Sequence, residues 1–171
     1  MGTRGYIIYI IRNKIYYQYN HWDSYPDGLG RNLTNCIIAL LKIYTFKELK
    51  QKIYDLEVVY DDTNATPDQI EKLKEYSNTT VSTQKMQEWY VLLRECQGNL
   101  DLTLKSGYIL SSKFDNIKDC DEEYVYVVNL NDDKFYCNNE LIGSVSKIPE
   151  NWYEVPEEPT CDPLHCDNDD I

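Results

Sequence analysis

The stretch Gly5-Tyr6-Ile7-Ile8-Tyr9-Ile10-Ile11-Arg12-Asn13-Lys14-Ile15-Tyr16-Tyr17-Gln18-Tyr19-Asn20 decides the fold class. Two runs rich in β-branched and aromatic residues flank a short polar turn that contains Asn13, which is the pattern of a β-hairpin. Apolar character is nearly continuous in both runs, so both faces of the hairpin are expected to be covered and the hairpin to be central. The chain then breaks at Asp23–Gly30, where Pro26, Gly28 and Gly30 fall within five residues.

Helical periodicity follows. Residues 33–44 read as a helix apolar nearly all round and therefore deeply buried. Thr45-Phe46-Lys47-Glu48 has the form of a capping box, and Phe46, Leu49, Ile53 and Leu56 give the next helix one buried stripe. Thr66-Pro67-Asp68-Gln69 starts a surface helix with proline in its first turn, carrying the weak stripe Ile70, Leu73 and Tyr76. Ser82 or Thr83 is expected to cap a fourth, with Met86, Trp89, Tyr90, Leu93 and Cys96 inward and Gly98 as its stop. The last third reads as strands: Leu100, Leu102 and Leu104 alternate with polar residues, Tyr124–Leu130 is strongly β, Asn131-Asp132-Asp133 turns the chain, and Lys134–Cys137 returns. Leu141 and Ile142 extend the sheet, and Trp152-Tyr153 closes the fold. The expectation is an α+β domain over residues 1–153. In it the N-terminal hairpin and the C-terminal antiparallel strands form one sheet, packed against about four helices from the middle of the chain.

Residues 154–171 change character. They carry seven acids, three prolines and no basic residue, a composition that cannot bury enough apolar area to offset ordering entropy, so a disordered acidic tail is expected. The 171 residues carry a net charge of −12, unevenly spread. Residues 1–52 hold eight Lys or Arg against three acids, whereas the remainder holds nine against 26. An acidic chain is repelled by phosphate, so nucleic-acid binding is disfavoured for the whole molecule and confined to a local basic face of the first third. Such charges are more often solvated helix faces.

Cysteines stand at 36, 96, 120, 137, 161 and 166. The opening residues lack a secretory pattern, and no apolar run reaches the ~18 residues of a membrane span. The cysteines are therefore read as reduced, with Cys36, Cys96 and Cys137 on apolar faces. Cys161 and Cys166, with His165 between them, lack the spacing of a zinc site, so no metal is expected. There is no P-loop, dinucleotide fingerprint, H-E-x-x-H or G-x-S-x-G, and no cofactor is expected. Asp61-Asp62 and Asp132-Asp133 read as turn residues.

The segment Asn20-His21-Trp22-Asp23-Ser24-Tyr25-Pro26-Asp27-Gly28-Leu29-Gly30 is the most informative polar stretch. It leaves a buried strand and at once presents amide, imidazole, indole, carboxylate and hydroxyl. His21, one of two histidines, has the chemistry of a general base with Asp23 nearby. The plainer reading is a strand exit, in which Asn20, Asp23 and Ser24 satisfy loose backbone groups and His21 and Trp22 pack.

With the opening Met1-Gly2-Thr3-Arg4-Gly5, that segment resembles a family of uncharacterised proteins of large nucleocytoplasmic DNA viruses and fungi, and the Tyr124–Cys137 hairpin fits the same pattern loosely. The resemblance implies a viral protein of the infected-cell cytoplasm or the virion. It carries no assigned activity, and it adds Thr3 and Arg4 to the candidate cluster of Asn20, His21, Asp23 and Ser24. The outline of residues 1–23 also resembles N-terminal-nucleophile hydrolases, although removal of Met1 exposes Gly2, and only a further cleavage would free Thr3. Two function classes follow. The first is a non-enzymatic virion-associated or host-interacting module acting through protein contacts or self-association. The second is a hydrolase using the N-terminal segment and the Asn20–Gly30 loop.

Overall fold

The computed structural model describes residues 2–81 and 85–154. The candidate caps Ser82 and Thr83 and the acidic segment after Glu154 lie outside the described residues.

The hairpin forms as its sequence requires: β1 (Gly5–Ile11) pairs antiparallel with β2 (Lys14–Asn20), Tyr9 opposite Tyr16. The turn puts Arg12 at a positive φ of 51°, which a non-glycine residue adopts at some cost. Asn131 braces it from the other end of the chain, accepting from the Arg12 N–H at 2.6 Å and donating to the Arg12 carbonyl at 3.1 Å. On its other edge β1 pairs with β5 (Tyr124–Asn129), and this join is parallel, Gly5 opposite Tyr124 and Ile10 opposite Asn129. β6 (Lys134–Cys137) and β7 (Glu140–Gly143) continue antiparallel, giving the order β2-β1-β5-β6-β7. The structure is therefore α+β with one mixed five-stranded sheet built from both ends of the chain. The antiparallel β2 has already carried the chain back to the end where β5 starts, so β2 and β5 are linked by a connection that leaves and re-enters the sheet at one end, and the helices lie in it.

Strand alternation divides the sheet faces. Ile7, Tyr9, Ile11, Tyr16, Tyr126, Val128 and Phe135 face the main core, covered by α1 (Arg31–Ile43), α2 (Phe46–Tyr54) and α5 (Leu100–Ser106). Tyr6, Ile8 and Tyr17 face the other way, under Phe114, Ile117 and Cys120 of the 111–123 connection. A third cluster joins Val59, Leu73, Trp89, Leu92, Leu93, Cys96 and Tyr108. It lies around a small parallel pair of strands, β3 (Glu57–Val59) and β4 (Tyr108–Leu110), with α3 (Pro67–Leu73) and α4 (Trp89–Leu92).

Several local expectations hold. α3 starts at Thr66-Pro67, and α2 starts at Thr45, whose Oγ1 accepts from the Glu48 N–H; the reciprocal Glu48 bond of the expected capping box does not form, and a full box stands instead at Thr66 and Gln69. Trp152 closes the main core, its indole N–H donating to Thr34 Oγ1 at 3.1 Å and its ring set edge-on to Phe135.

Four expectations are corrected. The hairpin is not central: only β1 lies inside the sheet, and β2 is an edge strand. Leu100, Leu102 and Leu104 belong to a helix, because Asn99 Oδ1 caps the Leu102 N–H at 3.0 Å and Gly107, at φ +80°, ends the turn. The alternation has another cause: α5 runs between two cores, with Leu100 and Leu104 in the main one and Leu102 in the third. The fourth helix is instead two short turns, α4 and residues 94–96, because Gln87 lies in a turn whose carbonyl accepts from the Ala65 N–H and Glu88 is extended, bridged to Asn64. Trp89, Leu93 and Cys96 are nonetheless buried. Finally, α1 is amphipathic rather than buried all round. Leu33, Ile37 and Leu40 are inside, while Ile43 is 72% exposed.

One sheet face thus rests on a single irregular connection. Phe114→Ala removes the ring that packs edge-on against Tyr6 and Tyr17. It is expected to speed amide hydrogen exchange across residues 113–120 while protection of β5 and β6 persists, because local opening follows local burial.

Candidate functional site

The Asn20–Gly30 segment folds back on itself as a clasp at the top of β1. Asn20 donates through Nδ2 to the Trp22 carbonyl (2.6 Å) and to Ser24 Oγ (2.9 Å). The Ser24 N–H donates to the Thr3 carbonyl, and the Ser24 carbonyl accepts from the Tyr126 hydroxyl at 2.7 Å. Thr3, Asn20 and Ser24 are all buried. The clasp closes tightly enough to need Gly5, where an added Cβ would stand 2.7 Å from both Ser24 Cβ and the Tyr124 carbonyl oxygen. Gly98, at φ +69°, passes so near that a Cβ there would sit 2.6 Å from Asn20 Oδ1. The chain leaves the clasp through a π-helical turn at Pro26–Gly30, which leads straight into α1.

The six residues singled out from sequence therefore separate. Thr3, Asn20 and Ser24 come together as internal hydrogen-bonding groups. Asp23 is exposed, with a positive φ of 52°. Together with Asn20 it borders a shallow hollow beside Glu95, Gly98 and Asn99. Arg4 lies at a different concavity. His21 bonds neither Asp23 nor Ser24 among the described residues; its Nδ1 pairs with the Tyr19 hydroxyl at 2.8 Å, and its ring meets Trp22 edge-on.

The concavity at Arg4 is the better-formed site, a cleft of about 340 Å³ at the edge of β2. Its walls are Tyr6, Tyr19 and Tyr90, its rim carries Arg4, Asp61 and Glu122, and its floor includes Gln18, Cys96, Gln97 and Ser112. Burial pushes the Cys96 thiol up to about 11, which leaves it protonated and a poor nucleophile at neutral pH. Burial also raises the Tyr6 hydroxyl against the lowering effect of its Ser112 partner, with Cys120, Glu122 and Asp61 adding to the rise. His21, just outside, has its pKa lowered by burial and then by the nearby Arg94 and Arg4 guanidinium groups. It stands as a neutral imidazole.

The most specific feature of the cleft is in the backbone. Along an edge strand every second residue turns its N–H and C=O outward. At Tyr17 both outward groups are used: its N–H donates to Ser111 Oγ and its C=O accepts from the Ser112 N–H at 2.8 Å. At His21 the N–H donates to Gln97 Oε1. Tyr19, between them, lines the cleft and has no partner for either outward group among the described residues. The side chain below is similarly incomplete. Gln18 is 4% exposed; its Nε2 donates to the Cys96 carbonyl and Thr103 Oγ1, while its Oε1 has no partner among the described residues. Sequence reading missed Gln18, Tyr19, Tyr90, Asp61 and Glu122. Gln18 carried a signal, as the lone amide in a run of Ile and Tyr.

Among the described residues no group of three or more His, Cys, Asp or Glu is placed to hold a metal ion, and no helix is long and apolar enough to cross a membrane. Comparison with protein-family models, curated proteins and solved structures finds no match.

The depressed His21 pKa has a definite sign. The folded state binds a proton less readily than the unfolded chain, so this contribution to stability is fully present above the unfolded value of about 6.5 and is lost as pH falls below it. An NMR titration of the imidazole carbons is expected to place the His21 midpoint below 6.5, with Arg94→Gln and Arg4→Gln each moving it upward. A midpoint unmoved by either substitution contradicts the electrostatic part.

Proposed function

We propose that this chain is a non-enzymatic interaction module that docks an extended segment of a partner protein along the edge of β2 at the cleft. One observation carries the reading. The chain after β4 meets the edge of β2 at Tyr17, through the Ser112 N–H and Ser111 Oγ, and the next outward N–H and C=O, those of Tyr19 at the cleft, have no partner among the described residues. An open sheet edge is a template for another strand, and recognition by strand addition uses main-chain bonds for affinity and an adjoining pocket for selectivity. Here the cleft is the pocket. The exposed Trp22, which reaches Tyr19 through His21, extends an aromatic surface outward from it.

The resemblance to viral proteins is the basis for proposing that the partner is a virion or host protein met in the infected-cell cytoplasm or the virion. Self-association through the same edge is the form in which the partner is a second copy of the chain. The hydrolase alternative draws less from the site. Thr3 and Ser24 are buried with their backbone groups engaged, and the Cys96 thiol is protonated. A mature chain beginning at Thr3, seen by intact-mass measurement, would reopen it. Nucleic-acid binding by the basic first third draws least support. Arg12 and Lys14 lie over Tyr54, Lys50 over Phe46 and Lys52 over Tyr44, so these charges are laid against rings as solvated edges of the fold.

Peptides selected from a random display library against the full chain are expected to slow hydrogen exchange at the Tyr19 amide and to shift the Tyr19 and Ser112 resonances. Tyr19→Pro, which removes an outward N–H without removing a bond to β1, is expected to weaken them at least tenfold. Peptides that bind while leaving Tyr19 exchange unchanged would place the interface elsewhere and defeat the reading.

A further inference from the structure

We propose that the cleft at the β2 edge selects a cationic side chain, the ammonium of a lysine or the guanidinium of an arginine, from the docked segment. This rests on the docking reading above and deepens it by naming the chemistry of the group that enters.

The carrying observation is the buried Gln18 amide. Its Nε2 is committed to the Cys96 carbonyl and Thr103 Oγ1, which fixes the amide orientation and leaves Oε1 as a buried acceptor without a protein donor among the described residues. A buried polar atom without a partner is costly, so such an atom at a cleft points to a ligand that supplies the missing half of the bond. The ligand must therefore donate. That requirement selects amines, guanidines, amides and hydroxyls and rejects ionised carboxylates and phosphates.

The walls narrow the choice to a cation. Tyr6, Tyr19 and Tyr90 line the cleft, and Tyr6 and Tyr19 meet edge-to-face at 5.4 Å. Aromatic faces attract ammonium and guanidinium groups, the more so where water is excluded. Two carboxylates, Asp61 and Glu122, stand at the rim. Asp61 has no cationic partner of its own among the described residues: the nearby Lys113 is bound to Asp62 at 2.6 Å. Its pKa is raised by partial burial and then by Asp62 and Glu88, the condition of a carboxylate that a positive charge would relieve. Among the described residues the basic side chain lining the cleft is Arg4. It is exposed at the rim; Arg94 lies over the Tyr90 ring at 5.7 Å and donates to Gln97 Oε1, so the entering cation is placed beside Tyr6, where Glu122 and Asp61 act, rather than against Tyr90. The cleft volume of about 340 Å³ suits one long side chain rather than a folded element.

The test uses the full chain, isotope-labelled and observed by NMR. Four capped tripeptides, acetyl-Gly-X-Gly-amide with X as lysine, arginine, norleucine or glutamate, are titrated beside n-butylammonium. The lysine or arginine peptide is expected to bind at least tenfold more tightly than the norleucine peptide, shifting the Gln18 side-chain amide and the Tyr19 and Ser112 backbone amides. Glutamate is expected to be rejected. Because Gln18 is buried and its replacement endangers folding, the test of contribution uses the rim: Asp61→Asn and Glu122→Gln each lower the affinity severalfold, and together at least tenfold, with the thermal midpoint unchanged. Norleucine or glutamate binding as well as lysine would overturn the cation assignment while leaving edge docking in place. Butylammonium shifting the cleft while no peptide protects Tyr19 would do the reverse. Failure of every cation to shift the cleft at millimolar concentration overturns the assignment outright.

Discussion

The parallel join between β1 and β5 is the constraint on which the rest depends. It brings a segment that begins at Gly5 beside one that begins at Tyr124. Because β2 has already returned the chain to the Gly5 end, where Asn20 lies opposite Gly5, residues 21–123 leave and re-enter the sheet at one end, as a long connection that holds the five helices α1–α5 and the second, two-stranded sheet. The join also fixes the faces. With β1 between β2 and β5, Ile7 and Ile8 are both fully buried although they point opposite ways, which is why the hairpin sequence shows little polar alternation.

The clasp follows from the same constraint. Gly5 is at once the first residue of β1 and the partner of Tyr124, so the chain leaving β2 at Asn20 has to cross a crowded corner. The polar residues there serve that crossing. Asn20 and Ser24 satisfy each other and the turn, and the Tyr126 hydroxyl reaches over from β5 to hold the Ser24 carbonyl. Polar groups buried this way specify one arrangement because every alternative leaves some of them unpaired. The cleft is the other consequence. The returning chain passes beside β2 after β4, bonding Tyr17 through Ser111 and Ser112, and no described residue continues those bonds to Tyr19 above Gln18.

Local chemistry was legible wherever one segment contained its own reason. The hairpin, the helix start at Thr66-Pro67, the 124–137 hairpin and the closing role of Trp152 each rest on neighbours in sequence or on plain apolarity. Leu100, Leu102 and Leu104 misled because alternation has two causes: a strand with one wet face, and a short helix held between two cores. Asn99 and Gly107 were the discriminating signals, being the cap and the stop of a helix. The region before Trp89 misled because its helical spacing belongs to side chains that reach the core from extended and 3₁₀ backbone, held in place by hydrogen bonds to residues 64–65.

By itself the sequence determined the fold class, the β-rich ends, the helical middle and the presence of a polar corner after β2, because propensity, periodicity and turn chemistry act over a few residues. Only the tertiary structure decided which polar groups are satisfied internally and which come to lie at a cleft. Asn20 and Gln18 are amides two residues apart on one strand. One finds its partners within the clasp, while the other keeps an oxygen without a partner among the described residues, in a cleft lined by residues from Arg4 to Glu122. Whether a hydrogen bond is completed depends on what the distant chain brings within about 3 Å, and no local pattern records that distance.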